Sequence, residues 1–512
     1  MSKRTASIFI SSVVVFAVTT ATRAELRMPR VFTDHMVLQH ELPIRVWGWS
    51  DAGSKVKTEI NGESAIAIAD TNGRWQVVLP AMKSDGRAHT LVVTAGGDEI
   101  KLKDVLLGEV WICGGQSNMG RPVTGEQSRS ADFPKIRLFN ISGNTPRNEG
   151  IDDTFGWATC TPETTVRAGD GSREKGRRGF TEVGYVFGRN IHEQLDVPVG
   201  LIQMNCGGST AKDWTPTAGV ADSLTYDEPI KGLTHKPGVL YEVRMRGIVP
   251  FTARGVIWYQ GEDDGRNQNY DKDLKALIES WRALFDRPNL PFYMAQIAQT
   301  GYASGMLRVW ESQVWVANNV SHTGLAPSND LQDKGIRDDK GNPKQKLPAT
   351  GWPISGGSNP HPPNKHLIGT RLADIALAKT YGKLDREVFG PMYDSHEIKD
   401  GKVFIKFKHI GKGLKTDNAK PVNWFQVAPP LSKDEYHPSD QHYTGRLRKH
   451  FVKATAEIVG KDTIVVHIPA EVSEPFWISF AWHPLARHNL YNSEGLAAFP
   501  FRIWPGVPPA PK

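Results

Sequence analysis

The sequence predicts an α/β fold, a parallel sheet covered by helices on both faces and set between two smaller β regions. Three observations predict it. From about residue 104 to 385, short apolar strand patterns alternate with amphipathic helical patterns. Residues 25 to about 103 carry only short β-rich runs with turn signals among them, and from about 386 the β pattern returns. Strand–helix alternation needs crossover connections, and crossovers give a parallel sheet buried on both sides.

The elements follow in order. Lys3 and Arg4 open the chain with positive charge, Ile8 to Val18 is apolar but for Ser11 and Ser12, and Thr22-Arg23-Ala24 offers a small-x-small cleavage site. This is the pattern of a secretory signal peptide over 1–24, too short for a permanent bilayer span. It predicts a periplasmic or extracellular protein with no stable membrane insertion. An N-terminal β domain is expected over 25–103, with strands at Ile44 to Trp49, Trp75 to Leu79 and Thr90 to Thr94. Asp51-Ala52-Gly53, Asn61-Gly62 and Asn72-Gly73 supply its turns, a spacing that suits a small sandwich.

In the α/β domain, 104–385, strands are expected at Val110 to Cys113, Val199 to Asn205, Val256 to Tyr259, Phe292 to Ile297 and Gly324 to Ala326. Helices are expected at Thr181 to Leu195, Tyr270 to Phe285, Leu307 to Asn318 and Asn364 to Tyr381. A C-terminal β domain over 386–505 carries strands at Lys402 to Lys408, Thr463 to Ile468 and Trp477 to Trp482, before a Pro-rich tail, 506–512, expected to be disordered.

Composition narrows the function classes. The 512 residues are 39% hydrophobic and 23% charged, which fits a globular chain with real cores. The net charge of +7 is spread along the chain, and no segment resembles a nucleic-acid-binding module. One basic cluster, Arg173, Lys175, Arg177 and Arg178, lies in a Gly-rich stretch and reads as a solvated loop or a landing place for an acidic glycan. The three cysteines form no disulfide framework, and the spacing of Cys113, Cys160 and Cys206 matches no zinc pattern. Asp263 and Asp264 beside Glu262 lack the separated ligands of a metal site. No cofactor or metal is expected.

In open parallel sheets the reactive groups gather beyond the carboxyl ends of the strands. Three expected strands end there in Gly-containing polar turns: Gly114-Gly115-Gln116-Ser117-Asn118-Met119, Asn205-Cys206-Gly207-Gly208-Ser209 and Trp258-Tyr259-Gln260-Gly261-Glu262. A serine after two glycines can sit exposed on a tight turn, as a nucleophile must. The N–H groups of Ser117 and Gly208 and the amide of Gln260 would together make an oxyanion hole. His361, in the loop Ser358-Asn359-Pro360-His361-Pro362 before the last helix, is the candidate base.

These blocks resemble the sialate O-acetylesterase family of the SGNH hydrolases. The resemblance begins at Val31-Phe32-Thr33-Asp34-His35-Met36-Val37-Leu38-Gln39 and continues through Gly108-Glu109-Val110-Trp111 into the serine block. It takes in the Gln260 block and Trp281-Arg282, and ends with Asn489-Leu490-Tyr491-Asn492 and Pro500-Phe501-Arg502. It implies an SGNH flavodoxin-like three-layer domain flanked by β-sandwich-like domains, and metal-free hydrolysis of acetyl esters on carbohydrates. Carried over by position, Ser117 is the nucleophile, His361 the general base, and Gly208 and Gln260 are oxyanion donors.

The chain departs from the family in one respect. An aspartate is expected two or three residues before the histidine, and here those positions hold Asn359 and Ser358. A carboxylate normally fixes the imidazole tautomer and stabilises the imidazolium. Glu262 is the favoured replacement, with Asp330 and Asn359 as alternatives. Asn118 and Trp214 are candidate substrate contacts, although Asn118 can instead hold its turn and Trp214 can instead be core. The polar stretch 329–350 reads as an insertion on the approach to His361. Because of the missing aspartate, a non-catalytic glycan-binding protein on a decayed esterase fold is the competing function.

Overall fold

Eighteen consecutive residues, Asp98–Gly115, form one strand (β1) that belongs to two parts of the molecule. Its first half alternates between exposed and half-buried positions and pairs antiparallel with His89–Ala95. From Val105 to Gly115 every residue is buried, the signature of a strand covered on both faces. That half pairs in parallel with its neighbours. The border expected between 103 and 104 thus falls inside a continuous strand. This computed structural model describes residues 25–141, 156–167, 179–218, 235–298, 305–331, 361–362, 364–428, 451–472, 477–483 and 486–503. The signal segment 1–24, the basic cluster 173–178, Ser358, Asn359, the stretch 332–350 and the tail 506–512 lie outside those residues.

Five strands join β1 in the central sheet: Phe133–Asn140 (β2), Val199–Asn205 (β3), Gly255–Tyr259 (β4), Phe292–Ala295 (β5) and Thr323–Ala326 (β6). The order is β6-β5-β4-β1-β3-β2, with Ala158–Cys160 antiparallel at the far edge. All five pairings within the six strands are parallel. Helices Glu182–Leu195 (α1) and Lys365–Lys379 (α4) cover one face with Trp111, Leu201 and Ile257. Tyr270–Leu284 (α2) and Met306–Asn319 (α3) cover the other with Ile112, Trp258 and Phe292. The order reverses at β1, which has β3 on one side and β4 on the other, and ligands bind beyond the carboxyl ends at such a point.

The four helices that cover the sheet begin within one residue of their sequence patterns. Thr181 caps α1, its hydroxyl accepting from the Gly184 N–H at 3.1 Å. The N-terminal β region shares its core with the α2/α3 face: Val46, Trp75 and Val93 belong to one cluster with Ile112 and Trp258. The C-terminal region stacks the antiparallel set Met392–Lys399, Lys402–Lys408, Thr463–His467 and Thr455–Val459 against a second sheet built on Phe425–Ala428 and Trp477–Phe480. Val403, Ile405, Phe425 and Phe480 fill the space between them. This region is tied to the α/β part by Arg502 donating to Glu311 at 2.8 Å and by Asn329 at 2.8 Å from His488.

Candidate active site

The carboxyl ends of β1, β3 and β4 carry the three polar turns, and the chain enters α4 alongside them. Gly115 has φ +141°, and a Cβ there would sit 2.2 Å from the Tyr259 carbonyl oxygen. Only glycine lets β1 press so closely on β4 at the moment it turns. The next residue stitches the turn down. Gln116 donates its backbone N–H to Tyr259 O at 3.0 Å and its amide to Asp263 at 2.9 Å, and its amide oxygen accepts from Gly261 N at 3.1 Å. Ser117 emerges half-exposed between buried Gln116 and Asn118.

His361 faces it: Nε2 lies 2.9 Å from Ser117 Oγ, across 244 positions of sequence. Burial first, then the nearby charges of Arg121 and Lys365, push the His361 pKa down to about 4. The ring is therefore neutral at ordinary pH and able to accept a proton. The second turn also reaches the serine. A Cβ on Gly207 would lie 3.6 Å from Ser117 Cβ, and Gly208, at φ +75°, turns the chain there. The N–H groups of Ser117 and Gly208 make no hydrogen bond within the described residues, so both are free to face a ligand.

Five sequence expectations need correction. Gln260 is no free donor: its amide nitrogen gives one hydrogen to Ser209 O at 3.0 Å and the other to Asp264 at 2.7 Å, and its oxygen accepts from Tyr270 at 3.0 Å. With both protons committed and no exposure, it clamps the second and third turns together. Trp214 is fully buried, donates to Ser209 Oγ at 3.0 Å and packs edge-on against Trp258, so it is a core residue with no exposed face to offer a sugar. Asn118 is equally buried, and both ends of its amide are engaged, the nitrogen donating to Glu262 and the oxygen accepting from Lys365. Glu262 does not reach His361. One of its oxygens takes the Asn118 hydrogen bond and the other has no hydrogen-bond partner. Asp330, the second candidate to orient the ring, is held by a bidentate ion pair with Arg371 at 2.6 and 2.8 Å.

Sequence reasoning missed Lys365 and Arg121. A signal was present for Lys365, since a cation in the first turn of a helix opposes the helix dipole and asks for an explanation. Among the described residues, one His/acid group is tight enough for a metal: His40, Glu41 and Glu109. Arg254 already donates to both Glu109 oxygens at 2.8 and 2.9 Å, supplying the positive charge an ion would bring. Glu109 also lies six residues before the end of β1 that leads into the serine turn, roughly 20 Å along the strand.

A parallel sheet with a serine–histidine pair at its carboxyl edge, between β flanks, is the build of an SGNH-type carbohydrate esterase. A solved carbohydrate acetylesterase from Xanthomonas citri shares the fold, with a TM-score of 0.73, 26% identity and coverage of 94% of this chain and 100% of its own. The family model described as "carbohydrate esterase, sialic acid-specific acetylesterase" matches residues 107–339. Sialate O-acetylesterase of Homo sapiens is 26% identical over 416 residues, 73% of this chain and 74% of that protein. The Rattus norvegicus protein is 27% identical over 445 residues, 73% and 77% of the two chains. Between the family-model match and these relatives, the chain is similar to sialate O-acetylesterases over most of its length.

Proposed function

We propose that this carbohydrate esterase is an exported serine hydrolase that removes O-acetyl groups from sugars through an acyl-enzyme on Ser117. The observation that carries the reading is the 2.9 Å separation of His361 Nε2 and Ser117 Oγ at the carboxyl edge of the sheet. The neutral ring, with its hydrogen on Nδ1, takes the hydroxyl proton as Oγ attacks the acetyl carbonyl. The oxygen that becomes negative faces the N–H groups of Ser117 and Gly208, and each donor of this kind typically contributes about 3 kcal/mol to the transition state. The tetrahedral species collapses, the carbon–oxygen bond to the sugar breaks, and His361 returns the proton to the departing sugar oxygen. Water then attacks the acetyl-serine with His361 again as base, releasing acetate.

Export rests on the N-terminal pattern of Lys3, Arg4 and the apolar run to Val18. No described helix is long and apolar enough to cross a membrane. The substrate class, an acetylated carbohydrate, rests on that similarity. The test is acetate release from an acetylated sugar and from p-nitrophenyl acetate by wild type and Ser117→Ala. Loss of turnover in the variant with unchanged folding is expected, and equal rates in the two overturn the reading.

A further inference from the structure

We propose that Lys365 is a positioning residue for the Ser117–His361 pair, acting through a buried chain of side chains that runs from Lys365 to Asn118 to Glu262. Lys365 Nζ donates to Asn118 Oδ1, and Asn118 Nδ2 donates to Glu262 Oε1. Asn118 is the residue after Ser117, and Lys365 lies four residues after His361 as the first residue of α4. One amide thus bridges the segments that carry the hydroxyl and the imidazole, and Glu262 ties both to the turn after β4.

The arrangement is costly, which argues against an incidental contact. Lys365 is 2% exposed, although an ammonium is among the side chains least often buried. It stands at a helix start, where the dipole disfavours a cation. The Glu262 carboxylate is sheltered, with one oxygen buried and without a hydrogen-bond partner, even though part of that residue reaches the surface. Burial pushes Glu262 up and Lys365 down, both to about 7. Taking both charges out of water is unfavourable unless each answers the other. The groups facing Lys365 are Glu262 from the turn after β4, Glu182 from α1, Arg121 from the serine segment and the Tyr259 ring, whose centre is 5.2 Å from Nζ.

The chain has two effects on the pair. It fixes the spacing of hydroxyl and ring from behind. It also keeps a positive charge beside His361, which together with Arg121 disfavours a second cation on the ring and keeps it a neutral base. Lys365 touches no reacting atom and acts through Asn118 and His361.

The inference rests on the hydrolytic reading of Ser117 and His361, and its test separates the two. Lys365→Met, Glu262→Gln and the double variant are assayed on p-nitrophenyl acetate across pH, with Ser117→Ala alongside. Lys365→Met is expected to lower kcat at least tenfold with KM within threefold, and to move the acid limb of kcat/KM up from near pH 4 toward the ordinary histidine value. The double variant leaves no buried charge, so it is expected to fold even where a single variant does not, and to keep both the kcat loss and the shifted limb. A folded double variant with wild-type kcat and limb overturns the role of Lys365. If Ser117→Ala is inactive in that case, the hydrolytic reading stands without it; if Ser117→Ala is fully active, the hydrolytic reading itself fails.

Discussion

Gln260 and Asp264 are joined by a 2.7 Å hydrogen bond from amide to carboxylate, four residues apart in the turn that follows β4. Asp264 also accepts from the Ala211 N–H at 2.9 Å and from Asn267 at 3.0 Å, so the pair locks the second turn onto the third. Gln260→Leu strips the clamp, takes the Gln260 donor from the Ser209 carbonyl and removes one of the two donors to Asp264 Oδ2. It is expected to cost about 2–3 kcal/mol of stability, measured by chemical denaturation. Were Gln260 an oxyanion donor, kcat would instead fall by about 10²–10³ at unchanged stability. The expected kcat loss in the folded variant is under tenfold.

The depressed pKa of His361 sets the acid side of the rate profile. The ring stays neutral, and competent as a base, down to about pH 4. The expected acid limb of kcat/KM therefore lies near pH 4 and not near the ordinary histidine value of about 6.5. Arg121 contributes to that depression, so Arg121→Gln makes the imidazolium easier to form and moves the limb upward. A profile on a neutral ester such as p-nitrophenyl acetate checks both statements, and a downward shift in the variant contradicts the second.

The Asp330–Arg371 pair is mostly buried, with side-chain exposures of 13% and 11%, and it pins the loop after β6 to α4. Arg371→Met leaves the carboxylate sheltered and unanswered, and is expected to cost about 3–5 kcal/mol in a denaturation experiment. The acid limb of the folded variant should match wild type, because Asp330 does not touch His361. A displaced limb would restore Asp330 as the orienting carboxylate.

Trp214→Ala is expected to lose about 3–5 kcal/mol of stability, the range for emptying a core site of this size. Its indole sits in a row of edge-on aromatics with Trp258 and Trp281. Glycan affinity of the folded variant, followed by calorimetry, should be unchanged. A selective loss of sugar binding at full stability would return Trp214 to the substrate site.

Several strands were legible, though Phe133–Asn140 of the central sheet was not. Ile44–Trp49, Val199–Asn205 and Lys402–Lys408 fall where their apolar patterns place them, because alternation and continuous apolar runs report burial directly. The meeting of Ser117 with His361 was legible through the order of the blocks. What escaped the sequence is direction. A glutamine at a strand end reads equally as a donor facing substrate or as a clamp facing Asp264, and only the surrounding acceptors decide. A tryptophan near a serine turn reads as a sugar platform until α2 is found lying over it. Glu262 was legible as a carboxylate near the site, but its partner Asn118 sits beside the serine and meets it only in three dimensions. The continuity of β1 escaped for a similar reason: a change from half-covered to fully covered strand looks, in sequence, like a border between units.

That undivided strand has a consequence for how the molecule can be cut. Its leading half is an edge for the N-terminal β region, while its trailing half delivers the serine turn. Removing the leading β region would take away the partner of half a strand whose other half is central to the sheet. Evolution and engineers alike would find this flank hard to swap as a cassette, because the join lies within the element that holds the reactive hydroxyl in place.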